Sequence, residues 1–262
     1  MGESLINSGW ILPVLLVMVG LLVGTYGTLI GVGGALVLVP LLLVLYPQAT
    51  PQAITAVSLL IVLVNSIGGS IAYARQKRID YRTGIIFALG TVPGVLLGIW
   101  TLNYVSRNLF ALIFGLVMIV ISAFLVVRSE PSRTAGLVNG NYDCNRPLGF
   151  TLSLGAGYLA GLLGIGGGII HVPVMVYIMC FPTHIATATS HFILIFTGAT
   201  GTLTHLSQGS FGSNWLVIVW LAVGVVAGSQ LGARLSKRIH GKVIIRLLAV
   251  ALAITGLRLV LG

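Results

Sequence analysis

Negative charge is nearly missing from this chain. Its 262 residues include only four acids, Glu3, Asp80, Glu130 and Asp143, and charged residues of both signs make up 7% of the total. Soluble domains carry about 25% charged residues, and a 27.5 kDa surface this poor in charge cannot be kept in water. Intrinsic disorder is excluded too, because 57% of the residues are hydrophobic. Cysteine is almost as scarce. Cys144 and Cys180 stand far apart without metal-ligand spacing and read as ordinary thiols. The sequence has no G-x-S-x-G, no H-E-x-x-H and no paired carboxylates, so nothing in it supports catalysis. The first nine residues hold Glu3 and no basic residue, so the run from Trp10 reads as a retained first span rather than a signal peptide.

What remains is a polytopic membrane protein, limited by its length to roughly ten helical spans of about 20 residues. Ten apolar segments are expected at 11–30, 35–46, 53–74, 84–103, 108–127, 148–163, 167–181, 185–206, 214–233 and 243–261. Two glycine clusters interrupt them, Gly31-Val32-Gly33-Gly34 and Gly164-Ile165-Gly166-Gly167-Gly168. Segment 35–46 is about 18 Å long as a helix, well short of a ~30 Å membrane core. Each cluster is therefore expected inside the membrane, between short or broken helices.

The two halves repeat. Positions 30–40 and 163–173 share Gly31/Gly164, Gly33/Gly166, Gly34/Gly167, Val39/Val172 and Pro40/Pro173. Thr55-Ala56-Val57-Ser58 then matches Thr187-Ala188-Thr189-Ser190. Gly69 matches Gly201, and Gly94 and Gly98 match Gly228 and Gly232, with the offset staying between 132 and 134. The expected organisation is a first transmembrane repeat at 1–127, a linker loop at 128–147 and a second repeat at 148–262.

The net charge of +10 suggests nucleic acid at first sight. The basic residues, however, sit in short gaps between apolar runs, as membrane-surface loops do. The clusters at 75–82 and 234–246 are expected to be cytoplasmic together with loop 128–146. They follow the third segment of one half and the fourth of the other. Four crossings lie between them besides the pair 148–163 and 167–181, which must add an even number. That pair either crosses twice or forms a hairpin on one side. Each half then has an odd number of net crossings, so the repeats are inverted. Twelve of the 14 basic residues fall on the cytoplasmic side, with Arg107 and Arg258 outside. The expected fold is thus an all-α polytopic membrane protein. It has two inverted-topology repeats of five segments each, about 8–10 transmembrane helices, with glycine-broken short helices or hairpins in each half.

A glycine-rich break before a helix leaves backbone N–H groups unpaired at the positive end of the helix dipole. Glycine also lets a ligand approach the backbone. Such a cradle binds an anion without a charged side chain; a P-loop is excluded because no G-K-[ST] follows. The competing reading of the same glycines is tight helix crossing. No Asp or Glu lies in any apolar segment, which argues against a proton, sodium or metal-cation substrate. Among side chains, His171, His191 and His205 are the titratable candidates within segments, and Ser58, Asn65, Ser66, Ser70, Thr189, Ser190, Thr197, Thr200 and Thr204 form polar stripes. Hydroxyls and amides hold oxyanions by hydrogen bonds, but they also bond their own helix backbone. Arg75 sits closest to an apolar segment and is a candidate gate at the inner mouth. Metal and cofactor sites are not expected.

The paired motifs LIGVGGALVLVPLL (29–42) and LLGIGGGIIHVPVM (162–175), followed by ITAVS (54–58) and ATATS (186–190), resemble the sulfite exporter TauE/SafE family, also called TSUP. The resemblance covers nearly the whole chain. It implies a bacterial or archaeal inner-membrane transporter of small sulfur-containing anions such as sulfite, sulfoacetate or other sulfonates. The family's motif glycines and prolines map onto Gly31, Gly33, Gly34 and Pro40, and onto Gly164, Gly166, Gly167, Gly168 and Pro173. The chain departs from the family at Ala35, where a third glycine is common, and at Val57, where Thr is common. The expected substrate-binding set is Gly31, Gly33, Gly34, Gly164, Gly166, Gly167, Gly168, Ser58, Asn65, Thr189, Ser190 and His191, with the anion moved by alternating access. The alternative is a channel or permease for another small anion or a neutral sulfur compound. A non-transporting scaffold or intramembrane enzyme is a third class, for which the chain offers no constellation.

Overall fold

The length of the apolar runs makes helix the only backbone that can satisfy its own hydrogen bonds in lipid, and helix is what forms. A computed structural model describes residues 11–127, 146–211 and 215–261. The expected linker at 128–147 lies almost wholly outside the described residues, as do Glu3, Trp10, Glu130, Asp143 and Cys144.

The helices are α1 (Ile11–Ile30), α2 (Ala35–Leu45), α3 (Pro51–Arg75), α4 (Tyr81–Leu102), α5 (Arg107–Val127), α6 (Arg146–Leu163), α7 (Gly168–Pro173), α8 (Thr183–Ser207), α9 (Trp215–Leu235) and α10 (Gly241–Leu261). No strand occurs among the described residues. Six of the helices are long and apolar enough to cross a membrane, namely α1, α3, α4, α5, α9 and α10. The seventh long helix, α8, has 25 residues like α3 but carries more hydroxyls and two more histidines in its buried face.

Local signals set the ends. Thr50 accepts from the Ala53 N–H and Pro51 opens α3, so both favoured features of a helix start coincide. Asp80 accepts from the Arg82 and Thr83 N–H groups and from the Thr83 hydroxyl, which makes it the N-cap of α4. It is the one acid among the described residues, and it is used structurally.

Equivalent helices meet across the molecule. Positions on α3 and α8 pair as Thr55 with His205, Leu59 with Gly201, Leu63 with Gly198 and Gly69 with His191, so the two run antiparallel. Positions on α5 and α10 pair as Gly115 with Leu259, Ile119 with Gly256 and Ser122 with Ala249, again antiparallel. The remaining pairings are exchanged between halves: α1 lies along α9 and α4 along α6, both parallel. Glycines make these two contacts close. A Cβ on Gly94 would strike the Leu154 carbonyl and one on Gly228 the Leu21 carbonyl, so only glycine lets the backbones approach this far.

Residues Leu43, Ala49, Gln52, Leu102 and Arg107 gather at one end. There the Arg107 guanidinium donates to the Ala49 and Leu43 carbonyls at 2.6 Å each, and Gln52 Nε2 donates to the Leu102 carbonyl at 3.1 Å. At the other end Gln76 Nε2 donates to the Ala233 carbonyl at 3.1 Å, bringing the two basic clusters together. From this placement, α1 enters from the Arg107 end and α2 returns to it. In the second half, α6 enters from the basic end. The chain comes back there through α7 and a turn of π-helix at Val174–Ile178, with Met179 beside Gly149 at the start of α6. Residues 146–178 therefore run out and back to one end, as both readings of 148–181 require and a single kinked helix does not. Pro173 lacks an N–H for the helical ladder, and the helix widens into the π turn directly after it. The outward faces of α5 and α10 carry exposed Leu116, Val120, Val250 and Ile254, a surface suited to lipid.

Candidate functional site

The two hairpin tips have the same backbone. Gly31, Gly33 and Gly34 have φ of 84°, 82° and 87°; Gly164, Gly166 and Gly167 have 71°, 74° and 88°. Three left-handed residues within four positions are the physical reason for the G-x-G-G pattern, since other residues enter this region at a cost. The tips also interlock reciprocally. A Cβ on Gly31 would fall 2.9 Å from Thr187 Cα, and one on Gly164 would fall 3.0 Å from Thr55 Cα. Gly33 and Gly166 both face Val62 and Leu194, which closes the centre between them.

Ser58 and Ser190 hold these tips. Ser58 Oγ donates to the Gly164 carbonyl at 2.7 Å, and Ser190 Oγ donates to the Gly31 carbonyl at 2.8 Å. Each serine thus reaches across to the other half. Their single protons are engaged, so in this conformation they position the breaks and have no proton to offer a ligand.

The backbone donors divide similarly. In the first break the N–H groups of Gly31, Val32 and Gly33 all donate to the Gly27 carbonyl, closing the end of α1. At the start of α2 the Val37 and Leu38 N–H groups donate to the Gly34 carbonyl at 3.2 Å, which leaves the N–H groups of Gly34, Ala35 and Leu36 without a backbone acceptor. In the second break Gly164 N–H donates to the Ala160 carbonyl, and α7 begins at Gly168 behind the left-handed Gly167. Where the first half has Ala35, a Cβ on Gly168 would stand 2.5 Å from the Gly31 carbonyl, so the glycine there is required by contact with the first tip.

Beside the first tip lies a polar chain. Thr28 Oγ1 donates to Asn65 Oδ1 at 3.0 Å and lies within hydrogen-bond distance of His191 Nε2, at 3.3 Å. Tyr73 stands edge-on to the His191 ring, with centroids 5.6 Å apart, and its hydroxyl donates to the Thr28 carbonyl at 2.8 Å. All four residues are fully buried. With Asn65 Oδ1 engaged by Thr28, Asn65 Nδ2 is left as a buried donor without a partner. At the equivalent place in the other half, Leu59 packs on Gly201 where His191 packs on Gly69, and the polar contact on that side is Thr55 with His205 at 3.2 Å.

The expected residues therefore separate. Asn65 and His191 come together, joined by Thr28, which the sequence reading missed. The available signal was the i, i+3 pair Thr25 and Thr28 on one face of the otherwise apolar α1. Thr189 lies apart: its hydroxyl oxygen accepts from the Asp80 N–H at 3.0 Å, near the basic end. His171 faces Thr91 at 3.4 Å between α4 and α7. Arg75 is exposed at the end of α3. A cavity of about 150 Å³ near the Arg107 end is lined by Leu42, Tyr46, Ile54, Val57, Phe211 and Ile218, and includes none of the expected site residues.

Broken helical hairpins meeting beside a polar centre, in a chain of membrane-length apolar helices, are the build of a membrane transporter. The chain belongs to the family described as Sulfite exporter TauE/SafE, whose model matches residues 16–259. It is 33% identical to the probable membrane transporter protein YunE of Bacillus subtilis, over 94% of this chain and 97% of the relative. It is 27% identical to a probable membrane transporter protein of Haemophilus influenzae, over 79% and 81% of the two chains. Against the probable membrane transporter protein MJ0441 of Methanocaldococcus jannaschii the identity is 25%, over 78% and 77%. No solved structure matches.

Proposed function

We propose that the protein is a secondary transporter of small sulfur oxyanions, sulfite or a sulfonate, working by alternating access. The observation that carries the reading is the reciprocal contact of two glycine tips on Val62 and Leu194. Two hairpins that enter from opposite ends and share one contact form a barrier that can open to either side. The antiparallel pairing of α3 with α8 and of α5 with α10 favours inverted repeats, a frequent basis of such exchange. The basic clusters favour a cytoplasmic position for residues 75–82 and 234–246 in a plasma (inner) membrane, with 128–146 beside them.

The anion is held by the N–H groups of Gly34, Ala35 and Leu36, the corresponding N–H groups of Gly167, Gly168 and Ile169, and Asn65 Nδ2. His191 and Thr28 set the Asn65 amide so that its donors, not its oxygen, face the ligand. Ser58, Ser190 and the glycines at 31, 33, 34, 164, 166, 167 and 168 shape the cradle. The lack of any acid in the described spans favours an anion over a cation. The test is uptake of radiolabelled sulfite and sulfoacetate by purified protein in liposomes. Saturable flux with counterflow is expected, reduced at least tenfold by Asn65→Leu. Absence of saturable flux for every sulfur oxyanion refutes the substrate class; linear, counterflow-free flux favours the channel.

A further inference from the structure

The two ends of the α3–α8 pair are built alike and carry different chemistry. After α3, Lys77 takes φ 54°, Lys77 N–H donates to the Ala74 carbonyl at 2.9 Å, and Arg78 N–H donates to the Tyr73 carbonyl at 3.3 Å. After α8, Gly209 takes φ 67°, Gly209 N–H donates to the Leu206 carbonyl at 3.1 Å, and Ser210 N–H donates to the His205 carbonyl at 3.0 Å. This is a left-handed helix stop, in which the second residue past the cap folds back over the residue three from the helix end. The stop therefore lays Arg78 over Tyr73 at the basic end and Ser210 over His205 at the other.

Arg78 differs from its basic neighbours. Arg75, Lys77, Arg82, Arg234, Lys237 and Arg238 are exposed, whereas Arg78 is half-buried and its Nη1 is cut off from solvent without a partner. Arg107, the other half-buried arginine among the described side chains, has its guanidinium engaged by two carbonyls. No described carboxylate is available to Arg78, because Asp80 is occupied in capping α4. The Gln76–Ala233 bond and the packing of Ala233 with Tyr73 and Ile79 bring the end of α9 against this segment, and Ser236, just past that end, is fully buried with its hydroxyl unpartnered. A guanidinium N–H and a hydroxyl withdrawn from water without acceptors are costly unless an acceptor arrives, and an oxyanion supplies acceptors to both.

We propose that Arg78 and Ser236 form a second oxyanion station at the basic end, one step from the tips, and that it makes the two mouths unequal toward the substrate. The proposal rests on the transport reading for its role and on anion binding alone for its existence. In maltoside detergent, free of phosphate, sulfite, sulfate and inorganic phosphate are titrated at constant ionic strength while the melting temperature is followed. Arg78→Gln raises the half-saturating concentration at least tenfold, Arg78→Lys recovers part of the loss, and Arg75→Gln stays within twofold of the wild type. Ser236→Ala, which leaves every charge in place, weakens binding about threefold and serves if Arg78→Gln fails to fold. In oriented vesicles, Arg78→Gln raises the half-saturating sulfite concentration at the basic face at least fivefold and at the opposite face less than twofold.

Equal changes at both faces, or an Arg78→Gln protein that matches Arg75→Gln, overturn the station. So does an Arg78 effect seen only in phospholipid and insensitive to dissolved anion, which would place the guanidinium on a lipid phosphate. If no sulfur oxyanion is moved yet Arg78-dependent binding of phosphate persists, the substrate assignment fails and the station stands. If sulfite is moved with unchanged saturation, the reverse holds.

Discussion

Ser58→Ala and Ser190→Ala test the interlocked tips most directly. Each substitution removes one hydroxyl whose bond, 2.7 or 2.8 Å long, runs to a tip carbonyl in the other half. Both serines are fully buried, so water does not replace the lost donor. An unmet buried acceptor costs about 1–3 kcal/mol, while hydrogen bonds inside membrane proteins average about 0.6 and reach about 1.7 kcal/mol. The overlap of these ranges is about 1–1.7 kcal/mol for each variant. Because the two sites play equivalent roles, the losses should agree within about 0.5 kcal/mol. His191, the neighbour of Ser190, packs on Gly69 of α3, eleven residues from Ser58, so the two anchors stand roughly 16 Å apart. At that separation the double variant should be additive, at about 2–3.5 kcal/mol. Reversible unfolding in detergent, followed by loss of helicity, measures all three. Losses below about 0.3 kcal/mol for both singles would refute the anchoring argument; a large loss for one and none for the other would refute the equivalence of the tips.

Four further outcomes follow from the structure. Gly164→Ala should cost about 1–2 kcal/mol for the left-handed backbone alone, and more from the contact with Thr55. Gly155→Ala, whose Cβ meets nothing within 4 Å, should gain up to about 1 kcal/mol, and a thermal melt separates the two signs. His191→Leu reproduces the Leu59–Gly201 contact of the other half, so its melting temperature should shift by no more than about 2–4 °C while flux falls at least tenfold; unchanged flux would remove His191 from the site. Arg107→Ala frees the Leu43 and Ala49 carbonyls and should destabilise by about 1.5–3 kcal/mol, read as faster hydrogen exchange at the end of α2.

Much of the fold was legible because its signals are local. Long apolar runs without carboxylates demand membrane helices. Two G-x-G-G clusters at a fixed offset mark two breaks, and the left-handed angles at six glycines are the geometry that pattern requires. The side-chain roles were less legible. Ser58 and Ser190 read as ligand donors, yet each proton goes to a carbonyl in the opposite half. Thr189 reads the same way and instead takes the Asp80 N–H. Thr28 carried no motif at all, and it joins Asn65 to His191. A hydroxyl has one proton, and where it goes depends on which segment lies opposite.

The amino-acid sequence by itself determined that this chain is helical, membrane-embedded, doubled and twice broken, because composition, periodicity and glycine act over a few neighbouring residues. Only the tertiary structure decided that the helix after Pro173 widens into a π turn. The same is true of the tip carbonyls, anchored from the other half, and of Arg78, which folds inward while Arg75 faces out. Those outcomes turn on contacts between residues more than a hundred positions apart and on a helix stop that reverses the chain. No local pattern encodes which partner a buried donor will meet.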